Sequence, residues 1–188
     1  MTNASEFFIS VDIEASGPVP GEYSMLSIGA CVVSAPEQTF SCELKPISDK
    51  FDPDAMAVLG RTVEDYGKSG LDPAAAMHAF SEWVGNLHQA NETVVFVGFN
   101  APFDWSFVNY YFHRFLGRNP FGFTALDIKA YYMGATGCQW QDTRSSRIAE
   151  RLRPELSGTH DPLDDALYQA ELFRLTRDKI IDARGKGK

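Results

Sequence analysis

Cysteine is scarce in this chain: Cys31, Cys42 and Cys138 are the only three in 188 residues, and no Cys-x-x-Cys pair occurs. An odd number of widely spaced thiols argues against a disulfide framework, and the missing pair spacing argues against a zinc site. Reduced thiols in a cytoplasm fit best. Long hydrophobic runs are also missing. No segment reaches the roughly 18 apolar residues that span a bilayer, and the N-terminus has no basic stretch followed by an apolar one. The expectation is a soluble cytoplasmic protein with no membrane partner. Basic residues are outnumbered, 17 against 25 acids, and the formal charge of −8 speaks against holding nucleic acid by bulk electrostatics. Two bound divalent cations would halve that charge and reverse the field where they sit, so an acidic total does not exclude a phosphate substrate. Linker-like, repeated and low-complexity segments are absent. What is present is a 44% hydrophobic composition, ample for a sizeable core. We expect one domain over residues 1–182 and a basic, flexible tail over residues 183–188.

The stretch from Phe7 to Gly17 organises the rest. A β-branched and aromatic run reads as a buried strand, and acids then stand at alternate positions, Asp12 and Glu14, before a Ser-Gly-Pro turn signal. Side chains alternate along a strand, so these two acids leave one face roughly 6.5 Å apart while Val11 and Ile13 face the other way. Two like charges beside apolar neighbours are costly unless one holds a proton or a cation joins them, and a hard divalent ion such as Mg²⁺ suits an all-carboxylate site best. An isolated Asp-x-Glu also suits an ordinary strand whose acids meet solvent or lysines.

Further along, Met25–Val33 and Gln38–Leu44 read as strands joined by a turn at Ser34-Ala35-Pro36-Glu37, completing a three-stranded meander. Asp52-Pro53 starts a short helix that Gly60 ends, and Asp72-Pro73 starts a longer one with Met77, Phe80, Val84 and Leu87 inward. His78 and His88 on that helix lack a partner at ligand spacing and read as surface or boundary residues. Thr93–Phe99 is apolar at nearly every position, which predicts a strand in the middle of the sheet. Asn100 reads as the N-cap of the next helix, with Asp104 in its first turn, Phe103, Phe107, Tyr111 and Phe115 as its buried stripe and Gly117 as its end. A last short strand ends at Asp127, read as an N-cap and not a ligand. Asp142-Thr143 reads as the cap of a helix bearing Arg144, Arg147 and Arg151 on one face, either solvated or in contact with phosphate. Finally, Asp161 caps the last helix with Pro162 at its first position, leaving His160 on the preceding loop and Asp165 on the first turn.

Taken together, Asp12-Ile13-Glu14, Asn100-x-x-Phe103-Asp104 and His160-x-x-x-x-Asp165 resemble the three motifs of the DEDDh exonuclease family, which includes the proofreading subunit of bacterial replicative polymerase, ribonuclease T and oligoribonuclease. The motifs occur in the right order and span residues 12 to 165. The resemblance implies an α/β, ribonuclease H-like fold: a mixed five-stranded sheet of order 3-2-1-4-5 with helices on both faces. It also implies 3′-to-5′ removal of nucleoside 5′-monophosphates from single-stranded nucleic acid 3′ ends. Two divalent cations, Mg²⁺ or Mn²⁺, about 3.5–4 Å apart would stabilise the attacking and leaving oxygens. By resemblance Asp12, Glu14 and Asp165 hold one ion, Asp12 bridges to the second, Asp104 acts through bound waters, and His160 is the general base, an imidazole being suited to proton transfer near neutral pH. Asn100 and Phe103 match positions that hold Asp104 in place.

The chain departs from its relatives in two places: Leu59-Gly60 stands where many have His-Gly, and Ala15-Ser16 follows Glu14 where a threonine is frequent. Ala15, Ser16 and Trp105 are the candidate substrate contacts, Trp105 as a platform for terminal bases. DNA and RNA stay equally open, as do short-RNA hydrolysis, a non-catalytic binding module, a homodimer and a polymerase-associated subunit.

Overall fold

The structure, a computed structural model, describes residues 5–89 and 91–185. Five strands, β1 (Ser5–Ala15), β2 (Met25–Val32), β3 (Ala35–Glu43), β4 (Glu92–Gly98) and β5 (Ala125–Asp127), form one mixed sheet in the order β3-β2-β1-β4-β5. The meander β1-β2-β3 is antiparallel, and β4 and β5 add in parallel. This is the ribonuclease H-like topology expected. The apolar β4 is an interior strand, but β1 holds the middle, because the meander fills one whole side. The hairpin is also tighter than its proline predicts. Ala35 already pairs with Val32, so the turn is Val33-Ser34 and Pro36 lies inside β3, an edge strand that tolerates a residue without an N–H.

The helices follow their caps. Asp52 accepts from the backbone N–H groups of Asp54 and Ala55 to start α1 (Pro53–Leu59), which Gly60 ends at φ 64°. A second short helix, α2 (Val63–Ser69), was not expected; Thr62 and Asp65 form a reciprocal capping box at its start. In α3 (Pro73–Leu87), Met77, Phe80 and Val84 are buried, while His78 is exposed and His88, just past its end, is half-buried. The next helix, α4 (Pro102–Leu116), ends at Gly117 as expected, but Asn100 is not its N-cap. Ala101 occupies that position without a side-chain bond, and Asn100 instead adopts φ 63°. Asp127 does cap α5 (Ile128–Thr136), accepting from Ala130 N–H. After a 3₁₀ turn (Trp140–Thr143), Arg144 stands at the N-cap of α6 (Ser145–Leu152) with no side-chain bond, so Asp142 is not the cap its type predicts. Asp161 Oδ1 accepts from Leu163 and Asp164 N–H at 2.9 and 3.2 Å to start α7 (Pro162–Gly185). That helix enters the expected tail as far as Gly185, and residues 186–188 lie outside the described residues.

Alternation along β1 divides the molecule. Ile9, Val11 and Ile13 face α3 and α4 and pack with Met77, Phe80, Val84, Phe107 and Tyr111. Phe8, Asp12 and Glu14 face α7, where Phe8 meets the Phe173 ring at 5.2 Å. Asp12 pairs with Gly29 across the β1–β2 ladder. A Cβ on Gly29 would lie 2.2 Å from the Pro162 carbonyl and 2.3 Å from Leu163 N. The start of α7 therefore rests on bare β2 backbone beside Asp12.

Gly29→Ala should cost at least about 1–3 kcal/mol of stability, the range for forced overpacking, and should lower activity as well by lifting α7 from the sheet. Urea denaturation checks the first effect. An unchanged midpoint would show that α7 does not need this contact.

Candidate active site

The β1–β4 pairing runs from Ser5/Glu92 to Ser10/Val97 and stops, so beyond Ser10 the two strands fork. In the fork Ile13 donates its backbone N–H to Asp104 Oδ1 at 3.1 Å. Asp104, only 4% exposed, reaches there from the first turn of α4. The opposite wall is α7. Glu14 and Asp165, together with His160 on the loop before α7, each offer a ligand atom within 4.8 Å of the others. Asp12 is bound from the same helix by Gln169, whose amide Nε2 donates to Asp12 Oδ1. The crevice that these elements form lies at the carboxyl ends of β1 and β4, where open α/β sheets bind ligands.

Gln169 is the residue that reading the motifs did not find. It is 5% exposed, and its Oε1 accepts from the Phe99 N–H at 2.9 Å, so one side chain ties α7 to the end of β4 and to Asp12. Its orientation is set by the Phe99 N–H, which can only donate, so Oε1 faces Phe99 and Nε2 faces Asp12. The signal available was its place one helical turn after Asp165, on the same face. Glu171 was missed as well. Its carboxylate oxygens accept from Glu155 and Leu156 N–H at 2.8 and 3.0 Å, pinning the loop that leads to His160.

That loop is also fastened near its tip. Thr159 donates its N–H to Asp165 Oδ1 at 2.8 Å and its hydroxyl to Asp164 Oδ2 at 2.9 Å. His160 follows at φ 65°, exposed and directed to the acids. Asp165 is the acid in the cluster; Asp164 is exposed and holds the loop.

The substrate contacts expected next to the motifs are committed elsewhere. Ala15 is buried in the main core. The buried Ser16 hydroxyl donates to the Lys50 carbonyl and accepts from Ser24 N–H, both at 2.9 Å. Trp105, half-buried, packs its ring edge-on against Phe96 at 5.2 Å, against the main core cluster. Arg144, Arg147 and Arg151 are all exposed, and Arg147 pairs with Glu150 at 3.4 Å.

Crowding shapes the electrostatics. Burial first, then the charges of Asp104, Glu14 and Asp165, hold Asp12 well above the usual carboxylate range, with the Gln169 amide opposing them. Burial raises Asp104 too, against the pull of the Ile13 N–H and its own. For Glu14, burial and the charges of Asp165 and Asp161 push the carboxyl up to about 7. Hard divalent cations fit this donor set: four carboxylates supply the oxygen ligands that such ions prefer, and a cation removes the repulsion that raises their affinity for protons.

A sign follows for the metal-free protein. Below the ordinary carboxylate value Glu14 is protonated whether or not the chain is folded. Between that value and about 7 the unfolded chain ionises first, so the folded state loses stability as pH rises through this window. In EDTA the melting temperature should therefore fall from pH 5 to 7, Glu14→Gln should flatten the slope, and Mg²⁺ should restore stability most at the higher pH. A melting temperature that climbs across the window in EDTA would contradict the crowding.

The family model of the RNase_T exonucleases matches residues 9–173. The chain is 57% identical over 184 residues to the 3′-5′ DNA exonuclease Cap18 of Escherichia coli, covering 98% of each protein. Among solved structures it is similar to the nuclease domain of 3′hExo, a DEDDh family member bound to rAMP, with a TM-score of 0.72, 17% identity and 93% of each chain covered. It is also similar to exonuclease I, with a TM-score of 0.67 and 18% identity over 95% of this chain and 43% of that one. With its three motifs gathered in one crevice of a ribonuclease H-like sheet, the chain belongs to the RNase_T exonuclease family, of the DEDDh type that its sequence resembles.

Proposed function

We propose that this exonuclease removes nucleotides one at a time from the free 3′ end of single-stranded DNA, releasing nucleoside 5′-monophosphates. The meeting of Glu14, His160 and Asp165 within 4.8 Å, beside Asp12 and Asp104, carries this reading. The DNA preference is supported by the name of the 57% identical relative.

Asp12, Glu14 and Asp165 would hold one divalent cation, and Asp12 with Asp104 would help hold a second; Mg²⁺ or Mn²⁺ would supply positive charge to the phosphate and to the oxygens gaining charge as the bond breaks. His160 takes a proton from the attacking water at its ring nitrogen. The water oxygen bonds to phosphorus, the bond from phosphorus to the 3′ oxygen of the preceding nucleotide breaks, and that oxygen leaves as the new 3′ hydroxyl once protonated. Hard cations prefer oxygen ligands, which leaves the imidazole for the proton. Gln169 aims Asp12 by engaging one of its oxygens, and Thr159 does the same for Asp165 while setting His160 beside it.

Matched 5′-labelled single strands of DNA and RNA, with Mg²⁺ or Mn²⁺ and Asp12→Ala as the contamination control, test the reaction. Linear DNA should shorten from its 3′ end, and a circular single strand should resist. His160→Ala should lower turnover on the order of 10²-fold or more with little change in melting temperature. Rapid cutting of the circle would remove the exonuclease reading, and normal turnover in the histidine variant would remove His160 from the chemistry.

Asp164 and Asp165 are adjacent acids with different tasks. Asp165→Asn should abolish turnover and stabilise the metal-free protein, since one of the crowded charges is gone. Asp164→Asn should keep most activity and lose about 0.3–1 kcal/mol as a helix N-terminal acid is neutralised. Kinetics and EDTA melting on the pair check both, and the reverse pattern would place the ligand at Asp164.

A further inference from the structure

Aromatic and basic groups of the kind that hold a single strand lie just past the end of β4, beside Phe99 and Asn100. Contacts lead there from Asp12 without a break. Asp12 is held by Gln169, Gln169 accepts from Phe99 N–H, and Lys129 Nζ sits 6.0 Å from the centre of the Phe99 ring. The same ammonium lies 3.5 Å from Asn100 Oδ1 and 4.5 Å over the Trp140 ring. Trp140 is 50% exposed. Four residues further, Arg144 borders a shallow depression of about 250 Å³ together with Gln141, Asp142 and Arg147. Arg147 is paired with Glu150, whereas among the described residues Lys129 and Arg144 form no ion pair.

We propose that Lys129, Trp140 and Arg144 form the seat for the part of a single strand that lies upstream of its terminal nucleotide. This rests on the exonuclease reading and adds the path that the strand takes. An indole face accepts any base by stacking, and cations beside it meet the phosphates on either side, a combination that holds single strands without reading their sequence. The charge balance favours nucleic acid here over a protein ligand. In a chain of net charge −8 whose crevice is lined with carboxylates, Lys129 over a half-exposed indole and Arg144 four residues beyond it, neither in an ion pair among the described residues, attract a polyanion. Asp142 is the only acid among the four residues that line the depression. The aromatic beside the second motif, Trp105, is half-buried and packs edge-on against Phe96.

The test compares two substrates that differ in what lies upstream. The p-nitrophenyl ester of thymidine 5′-monophosphate offers a single nucleotide, and dT12 offers a long strand. Trp140→Ala should raise KM for dT12 about ten-fold while leaving hydrolysis of the ester unchanged, and Trp140→Phe should recover most of the loss. Lys129→Ala with Arg144→Ala should weaken the dependence of dT12 binding on salt. The seat is overturned if KM for dT12 stays at the parent value in Trp140→Ala. It is overturned equally if ester and dT12 hydrolysis fall together with the melting temperature, or if the substitution changes only the size of the protein in solution, which would mark a protein interface. Fluorescence anisotropy of labelled dT12 in the Asp12→Asn background separates this proposal from the one beneath it. Binding that depends on Trp140, found while the parent protein with Asp12 intact hydrolyses neither substrate, would sink the exonuclease reading and leave the strand seat standing.

Discussion

The geometry of the site depends on one contact made by a residue with no side chain. At Gly29 the first turn of α7 meets the backbone of β2 so closely that a single methyl group has no space. Because Gly29 pairs with Asp12, this contact sets how near the acids of α7 come to those of β1. The descent of α7 onto the sheet brings Asp165 and His160 to Glu14, and Gln169, one turn further on, to Asp12. The parting of β1 from β4 does the complementary work by opening a gap into which α4 sends Asp104.

Bringing four carboxylates to one crevice works against their ionisation. Burial and mutual repulsion raise Asp12, Glu14 and Asp104 together, so without cations protons are the partners available to them. The same repulsion is the driving force for cation binding: a site that strains against its own charge gains most from a counter-charge. The acidity of the whole chain is thus no obstacle to a phosphate substrate, because the field the substrate meets is that of the loaded crevice.

Much of this was legible in the amino-acid sequence. Period-two acids in Asp12-Ile13-Glu14, the caps at Asp52, Asp72, Asp127 and Asp161, and the glycine stops at Gly60 and Gly117 are local signals, and the structure follows them. The order of the sheet came from resemblance together with the run of meander and strand-helix units. What was not legible depends on long-range contacts. Asn100 has the side chain of a cap, yet the chain needs a left-handed residue there to turn from β4 into α4. Trp105 stands next to a catalytic-type acid, but one position along a helix rotates a side chain by about 100°, which brings its ring onto Phe96 at the edge of the core. Gln169 has no local mark at all, since its importance lies in the ends it joins.

Three of the four acids share a further property. Asp104 accepts from Ile13 N–H, Asp12 from Gln169 and Asp165 from Thr159 N–H, each through a single oxygen. An amide in any of these places could still accept the scaffold bond through its carbonyl while losing an anionic ligand. Shape and chemistry are therefore separable in this protein. On such a scaffold an active nuclease and a folded, inert relative that still grips a strand stand one side-chain atom apart, and divergence in either direction leaves the architecture untouched.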